Sequence, residues 1–427
     1  MSEGRSGRFR DVANLFRGPT AVGSLKLLPS SALPGLIGFI GIVLLAHIGG
    51  LHMVGLFSMT LVASAFGAAM LAGGPSILVL RHRVKEGPDH TSAYRTAMLE
   101  RSLVFVPLGI ALGLLIALWR TTVGGPIALA SLLVIPESLF AFETSVLSAQ
   151  TRFGRISAFA STRMAVGWGA AVATATRYPF LQVALAYIGA LLVTGVIFQP
   201  PRLSRVVEAV RADLRGSWRQ ISSYSLAAYA LNNGDQYILA IIAGPTAVGV
   251  YSLGYTVGGG VVSLFSGPVS GVLGPRVFRE WEKGTEGRQR AIRLANRGAL
   301  VVLALSIASA VAIAIAGALG WLDFVSKAPS LAPVAVIVAL AVGLHMAATI
   351  RYPPIYYLRN RSGLLGRAAW YTLPPALIAI VVLSWKFTET GTAVATFFAY
   401  LIMAAIQRHY ARSLEVEGEK DGSSDPG

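Results

Sequence analysis

Apolar residues are gathered into long runs, and short polar connections separate them. Runs of roughly 18 to 25 mostly apolar residues are long enough to cross a bilayer as helices. Twelve can be marked, at about 27–48, 54–79, 102–119, 126–148, 156–176, 179–198, 221–242, 247–272, 298–318, 331–350, 368–385 and 391–407. The pattern predicts an all-α polytopic membrane protein with twelve transmembrane helices.

Charge supplies the orientation. The 36 Lys and Arg residues fall in alternate connections, and all but Arg120, Arg177, Lys327 and Lys386 lie on one side. Lys/Arg-rich connections remain in the cytoplasm. Both termini are therefore expected inside, in a cytoplasmic (inner) membrane. A missed or invented span would break this alternation. Composition agrees, with 54% hydrophobic and 13% charged residues. The net charge of +16 is spread over membrane-flanking loops. It suits anionic membrane lipids as partners and gives no reason to invoke nucleic acid. No cysteine is present, so disulfides and Cys metal sites are excluded. No cleaved signal peptide is read from the basic, polar lead.

The spans divide into two sets of six. Residues 1–26 read as a cytoplasmic amphipathic lead, with Phe9, Val12 and Phe16 on one face. Residues 27–198 and 221–407 form the N- and C-terminal six-helix lobes. Between them, 199–220 carries Val207, Val210, Leu214 and Trp218 at helical spacing, with a stripe of Arg211, Arg215 and Arg219. That pattern predicts an amphipathic linker helix lying on the inner leaflet. Residues 408–427 are expected to form a disordered cytoplasmic tail.

The two lobes look like copies. At a constant offset of 194, Leu45/Leu239, Ala46/Ala240, Ile48/Ile242, Gly50/Gly244, Val54/Val248, Gly55/Gly249 and Ser58/Ser252 are identical, and Phe57/Tyr251 are both aromatic. A weaker echo joins Phe153-Gly154-Arg155 to Leu365-Gly366-Arg367. Six spans is an even number, so both copies enter from the same side. Their pseudo-twofold axis then runs along the membrane normal. Two lobes rocking about a central cavity is a transporter design.

Enzyme signatures are missing: there is no phosphate-binding Gly-Lys-Ser/Thr loop, no HExxH and no paired-His metal motif. The informative residues are charges inside spans, each costing about 2.5–3.5 kcal/mol unless paired or wetted. Glu137 and Glu143 lie in span four and Arg163 in span five. By depth, Glu143 and Arg163 are expected to pair, either as a structural pin or as a functional unit. Glu137 has no evident partner at its level and reads as an ion-coupling carboxylate. Span seven carries Asn232, Asn233, Gly234, Asp235 and Gln236 in succession. Either the helix breaks there or this face lines water, and cavity lining is the favoured reading. Pro29 and Pro34 can bend span one and gate. Lys26, Arg163 and Arg351 make the inner mouth basic, which suits a phosphate headgroup and repels a lipophilic cation.

Twelve spans, the six-plus-six repeat and the stretch NNGDQYILAIIAGPTAVGVYSLGY resemble the polysaccharide flippases (Wzx type) of the multidrug/oligosaccharidyl-lipid/polysaccharide exporter superfamily. Asp235, Gly244, Val248, Gly249, Tyr251 and Ser252 stand where that family has an Asp in span seven, a Gly, a short turn and Val-Gly-x-Tyr-Ser. Val54-Gly55-Leu56-Phe57-Ser58 is the first-half counterpart. The resemblance implies translocation of an undecaprenyl-diphosphate-linked oligosaccharide to the outer leaflet by alternating access. An ion gradient or the membrane potential would drive it, with no cofactor. Its partners would be the polyprenyl-diphosphate oligosaccharide and a polysaccharide polymerase or glycosyltransferases. It also implies Asp235 as an ion-coupling residue beside Glu137 and Glu143. Lys26, Arg163, Arg351, Asn232, Asn233 and Gln236 are then the candidates for the substrate cavity. Competing readings are a cation-coupled drug antiporter of the same superfamily, a non-transporting scaffold, and a membrane glycosyltransferase, against which the short outer loops count.

Overall fold

The computed structural model describes residues 19–84, 90–150, 152–198, 203–281, 283–358, 361 and 363–422. These residues are almost entirely helical. In chain order the helices are α1 (Pro19–Val84), α2 (Thr91–Ala117), α3 (Thr121–Ala149), α4 (Phe153–Ala175), α5 (Phe180–Phe198), α6 (Glu208–Trp281), α7 (Gly284–Ala318), α8 (Leu331–Arg351), α9 (Pro353–Leu358) and α10 (Gly363–Gly422). A 3-10 turn at Trp321–Phe324 joins α7 to α8. Among the described residues, eight helices are long and apolar enough to cross a membrane. Large apolar side chains such as Leu103, Leu108, Leu112, Leu300 and Ile378 stand exposed on their outer faces, as a hydrocarbon solvent requires.

Three of the eight are too long for one crossing. The apolar part of α1, Ala32–Val79, has 48 residues, and would be about 72 Å if straight, against a core of about 30 Å. Each of the three contains one residue outside the helical region: Gly50 (φ 76°, ψ 169°) in α1, Gly244 (φ 83°, ψ 174°) in α6 and Thr388 (φ 50°, ψ −127°) in α10. The chain reverses at each. Trp168 touches both Gly41 and Phe57, and Tyr251 hydrogen-bonds Asp235. Each of these pairs is sixteen residues apart, about 24 Å along a straight helix. Ser384 and Thr392 Oγ atoms lie 2.7 Å apart, which a straight helix would hold about 12 Å apart.

Gly50 and Gly244, equivalent at the offset of 194, thus share one backbone conformation. It lies in a region that essentially only glycine enters. Just beyond these turns the two copies touch. A Cβ on Gly55 would collide with the carbonyl of Pro245, and one on Gly249 with the carbonyl of Leu51. Leu51 and Pro245 are themselves 194 apart, so the contact is reciprocal. From this crossing the second segment of α1 runs down the first segment of α6. Tyr237 donates to the Met59 carbonyl, Tyr229 to the Val62 carbonyl and Trp218 Nε1 to the Leu71 carbonyl (3.1 Å).

Several expectations need correction. The linker helix is not a separate surface element: from Glu208 it continues into the span as α6. Its apolar face does not lie on lipid. Val210 and Leu214 are buried with Leu71, Tyr94, Ala97, Met98 and Val146, because the ends of α1, α2 and α3 offer an apolar surface there. The tail is not wholly unstructured. α10 continues to Gly422, and Ala411 and Leu414 pack on Tyr352, Ile355, Tyr356 and Leu365. The helical dihedrals run through Pro29 and Pro34, and Gly50 is the only break in α1. The asparagine-rich stretch is helical, and the favoured reading of it needs no break; the break comes later, at Gly244. Residues 1–18 of the amphipathic lead and the end of the tail, 423–427, lie outside the described residues, as do the side chains of Lys26 and Pro29.

Candidate functional site

The buried charges of the first half form two ion pairs, and neither is the expected Glu143–Arg163 pair. Arg95 holds Glu143, with Nε and Nη2 at 2.6 and 2.5 Å from Oε1. Arg163 pairs with Glu137. Helix length is the reason. α4 starts at Phe153, so Arg163 sits about 15 Å from that end; on α3, Glu137 lies about 18 Å and Glu143 about 9 Å from Ala149. Depth therefore matches Arg163 with Glu137. Sequence reading placed Arg95 in a connection, but α2 begins at Thr91 and turns it inward beside Ala93, Tyr94, Ala97 and Met98. Those apolar neighbours at helical spacing were the available signal.

Aromatic rings cover both guanidinium groups. Phe140 lies 4.2 Å from Arg163 and Phe142 lies 5.7 Å from Arg95. Arg163 is 3% exposed and Glu143 4%. Arg163 therefore belongs to the interior of the first bundle, between α3, α4 and α5, and is not at an open mouth. Glu137 is not a lone carboxylate. Breaking either pair would strand a buried charge.

The second half holds a different site. Asp235, on the first segment of α6, is fully buried. Tyr251, from the second segment, donates its hydroxyl to Oδ2. Thr396 of α10 donates to the same oxygen at 2.9 Å, and the backbone N–H of Gln236 donates to Oδ1 at 2.8 Å. Tyr251 and Thr396 also contact each other at 3.1 Å. All three donors suit a carboxylate. Among the described residues, no Lys or Arg forms an ion pair with it.

One turn further along both helices stand Tyr255 and Tyr400, and His345 of α8 stacks on Tyr400 with ring centroids 4.6 Å apart. His345 faces a cavity of about 360 Å³ at the arginine-rich end of this half. Asn232, Ser270, Thr349 and Gln407 add polar atoms to a largely apolar lining. The predicted cavity residues thus separate. Asn232 lines this cavity, Asn233 is half-buried and Gln236 is buried beside Asp235. Arg351 is half-exposed in the last turn of α8, over the ring of Tyr352 at 5.2 Å.

The fold that carries this site has counterparts among solved structures. The lipid II flippase MurJ in an inward closed conformation matches with a TM-score of 0.69 at 12% identity, over 90% of this chain and 86% of that one. The eukaryotic MATE transporter AtDTX14 matches with a TM-score of 0.62 at 13% identity, over 96% and 99%. An outward-facing multidrug resistance MATE family transporter of the MOP superfamily gives 0.55 at 15% identity, over 94% and 98%. The fold is the one these exporters share. No family model matches the sequence, and no curated protein does. The likeness is one of fold, and it agrees with the eight helices among the described residues that are long and apolar enough to cross a membrane.

Proposed function

We propose that this protein is a flippase for a polyprenyl-diphosphate-linked oligosaccharide, moving it from the inner to the outer leaflet by alternating access of two lobes. The observation that carries the reading is the charge of the interior. Glu137 and Glu143 are each neutralised by an arginine, which leaves Asp235 as the buried carboxylate to couple an ion. A drug-cation antiporter needs acid in its cavity to hold its cargo. Here the inner connections are basic, which suits a diphosphate. Lys26 and Arg351, with the neighbouring loop arginines, are the residues assigned to that headgroup.

The architecture we infer has twelve crossings in two lobes of six. The eight apolar helices include three that double back at Gly50, Gly244 and Thr388, and α4 adds the twelfth. Its arginines, Arg155 and Arg163, lower its mean hydropathy. The shared geometry of Gly50 and Gly244 and the reciprocal Gly55/Gly249 contact support a pseudo-twofold axis along the membrane normal. The basic connections support both termini lying in the cytoplasm. The chain lacks cysteine, so single introduced thiols test this directly. Arg120→Cys and Lys386→Cys should react with an impermeant maleimide from outside, and Arg361→Cys and Arg412→Cys should not. The reverse pattern would overturn the orientation.

The function is tested by the sidedness of radiolabelled lipid-linked oligosaccharide in cells lacking this chain. Accumulation on the cytoplasmic face, reversed by the wild type, is expected. Normal sidedness with lost efflux of cationic dyes would instead identify a drug antiporter. No change in either would leave the scaffold reading.

A further inference from the structure

The outer face of α10 changes character toward its C-terminal end. Phe398, Leu401 and Ala405 are exposed, and Arg408, His409 and Arg412 carry the same face onward. Spacings of three and four residues keep this stripe on one side of the helix. Its apolar part suits hydrocarbon and its basic part suits headgroup phosphates. Where α10 passes the end of α8, the stripe borders a groove of about 410 Å³. Tyr352, Leu401, Arg408, His409 and Arg412 are among its walls.

The groove is built and its cations are unspent. Tyr356 donates its hydroxyl to the Gln407 carbonyl, and Ala411 and Leu414 pack on Tyr352 and Ile355. These contacts hold α10 against the end of α8 and fix the two walls. No acidic residue lines the groove. Among the described residues, neither Arg408 nor Arg412 forms an ion pair. Arg351 adds a third cation at the edge, over the ring of Tyr352. The groove beside the start of α6 differs, because Glu100 and Glu208 stand among its arginines and pair with them.

We propose that this groove binds one anionic phospholipid, its phosphate held by Arg408 and Arg412 beside His409 and an acyl chain lying along Leu401 and Phe398. Guanidinium forks match phosphate oxygens. From Arg408 to Phe398 is about 15 Å along the helix, half of a hydrocarbon core of about 30 Å, so the stripe spans one leaflet. The occupant enters sideways from the bilayer, because the stripe is the exposed face of α10. It is therefore a resident lipid and not the cargo, whose glycan must cross inside the protein. Bound there, it joins the end of α10 to the end of α8. The inference stands apart from the transport reading, and loss of translocation would leave it untouched.

Titration of the full-length protein in detergent with phosphatidylglycerol tests this, read by native mass spectrometry and by the melting temperature. A single-lipid adduct that raises the melting temperature is expected, with no such effect from phosphatidylcholine. Arg408→Gln with Arg412→Gln should weaken phosphatidylglycerol about 10- to 30-fold. Lysine at both positions should retain most of the affinity. Arg152→Gln with Arg155→Gln removes two exposed arginines from another basic connection, and should change it by less than about 2-fold. Equal losses in the two glutamine pairs would reduce the site to diffuse attraction and overturn it. Equal stabilisation by inorganic phosphate would overturn the lipid. Undecaprenyl diphosphate binding there in preference to phosphatidylglycerol would make the groove a cargo site and overturn the resident lipid. Should the double variant fail to fold, Arg412→Gln decides alone, with an expected loss of about 5-fold.

Discussion

The same turn occurs twice in this chain, and what is packed beneath it differs. In the second half, nine residues before Gly244 and seven after it, Asp235 meets Tyr251 and the two share Thr396. At the matching places around Gly50 stand Gly41 and Phe57, and the side chain of Trp168 fills the space between them. Phe57 lies 5.2 Å from Trp168 and 5.0 Å, edge-on, from Tyr187. One backbone scaffold thus carries a hydrogen-bonded carboxylate in one copy and a dry aromatic cluster in the other. The first half keeps its charges elsewhere, in the closed pairs Arg95–Glu143 and Arg163–Glu137. On the function proposed above, ion coupling belongs to the second half and structural support to the first.

The comparison breaks most sharply by grafting. Gly41→Asp would bury a carboxylate against Trp168 with no hydroxyl to receive it, and the protein should not accumulate folded, as size-exclusion profiles in detergent would show. Next is Arg163→Ala, which strands Glu137 and should cost about 3–5 kcal/mol. Removing Glu137 as well should recover part of that loss in thermal unfolding. Trp168→Ala should cost a similar amount, about 3–5 kcal/mol, by opening a cavity. Transport per folded molecule should survive it. Asp235→Asn should do the reverse: a stability change within about 1–3 kcal/mol, with translocation lost. The smallest effect is expected at the third turn. Thr388 holds a positive φ at a cost of about 1–3 kcal/mol. Thr388→Gly relieves the strain but raises the entropy of the unfolded chain, which costs about 0.4–1 kcal/mol, so the melting temperature should rise slightly.

Layout was the most legible part of the sequence. Apolar runs and basic connections anticipated membrane helices, and the offset of 194 found the two glycines that share a conformation. Asp235 was visible because a carboxylate within a span is conspicuous. Its partners were not. Thr396 is 161 residues away, and a hydroxyl inside an apolar run leaves no periodic signal. The ion pairs were misjudged because a helix start shifted by three residues moves a side chain about 4.5 Å in depth. The linker was misread for a related reason. An amphipathic stripe has the same appearance whether its apolar face meets lipid or the side chains of neighbouring helices.

The most direct test of the account is translocation of lipid-linked oligosaccharide in vesicles holding the purified protein under an imposed pH gradient. The wild type and Phe57→Tyr, which changes only the aromatic copy, should both translocate in response to the gradient. Asp235→Asn, folded and inserted to the same extent, should not. Equal translocation by Asp235→Asn would contradict the assignment of coupling to the second half.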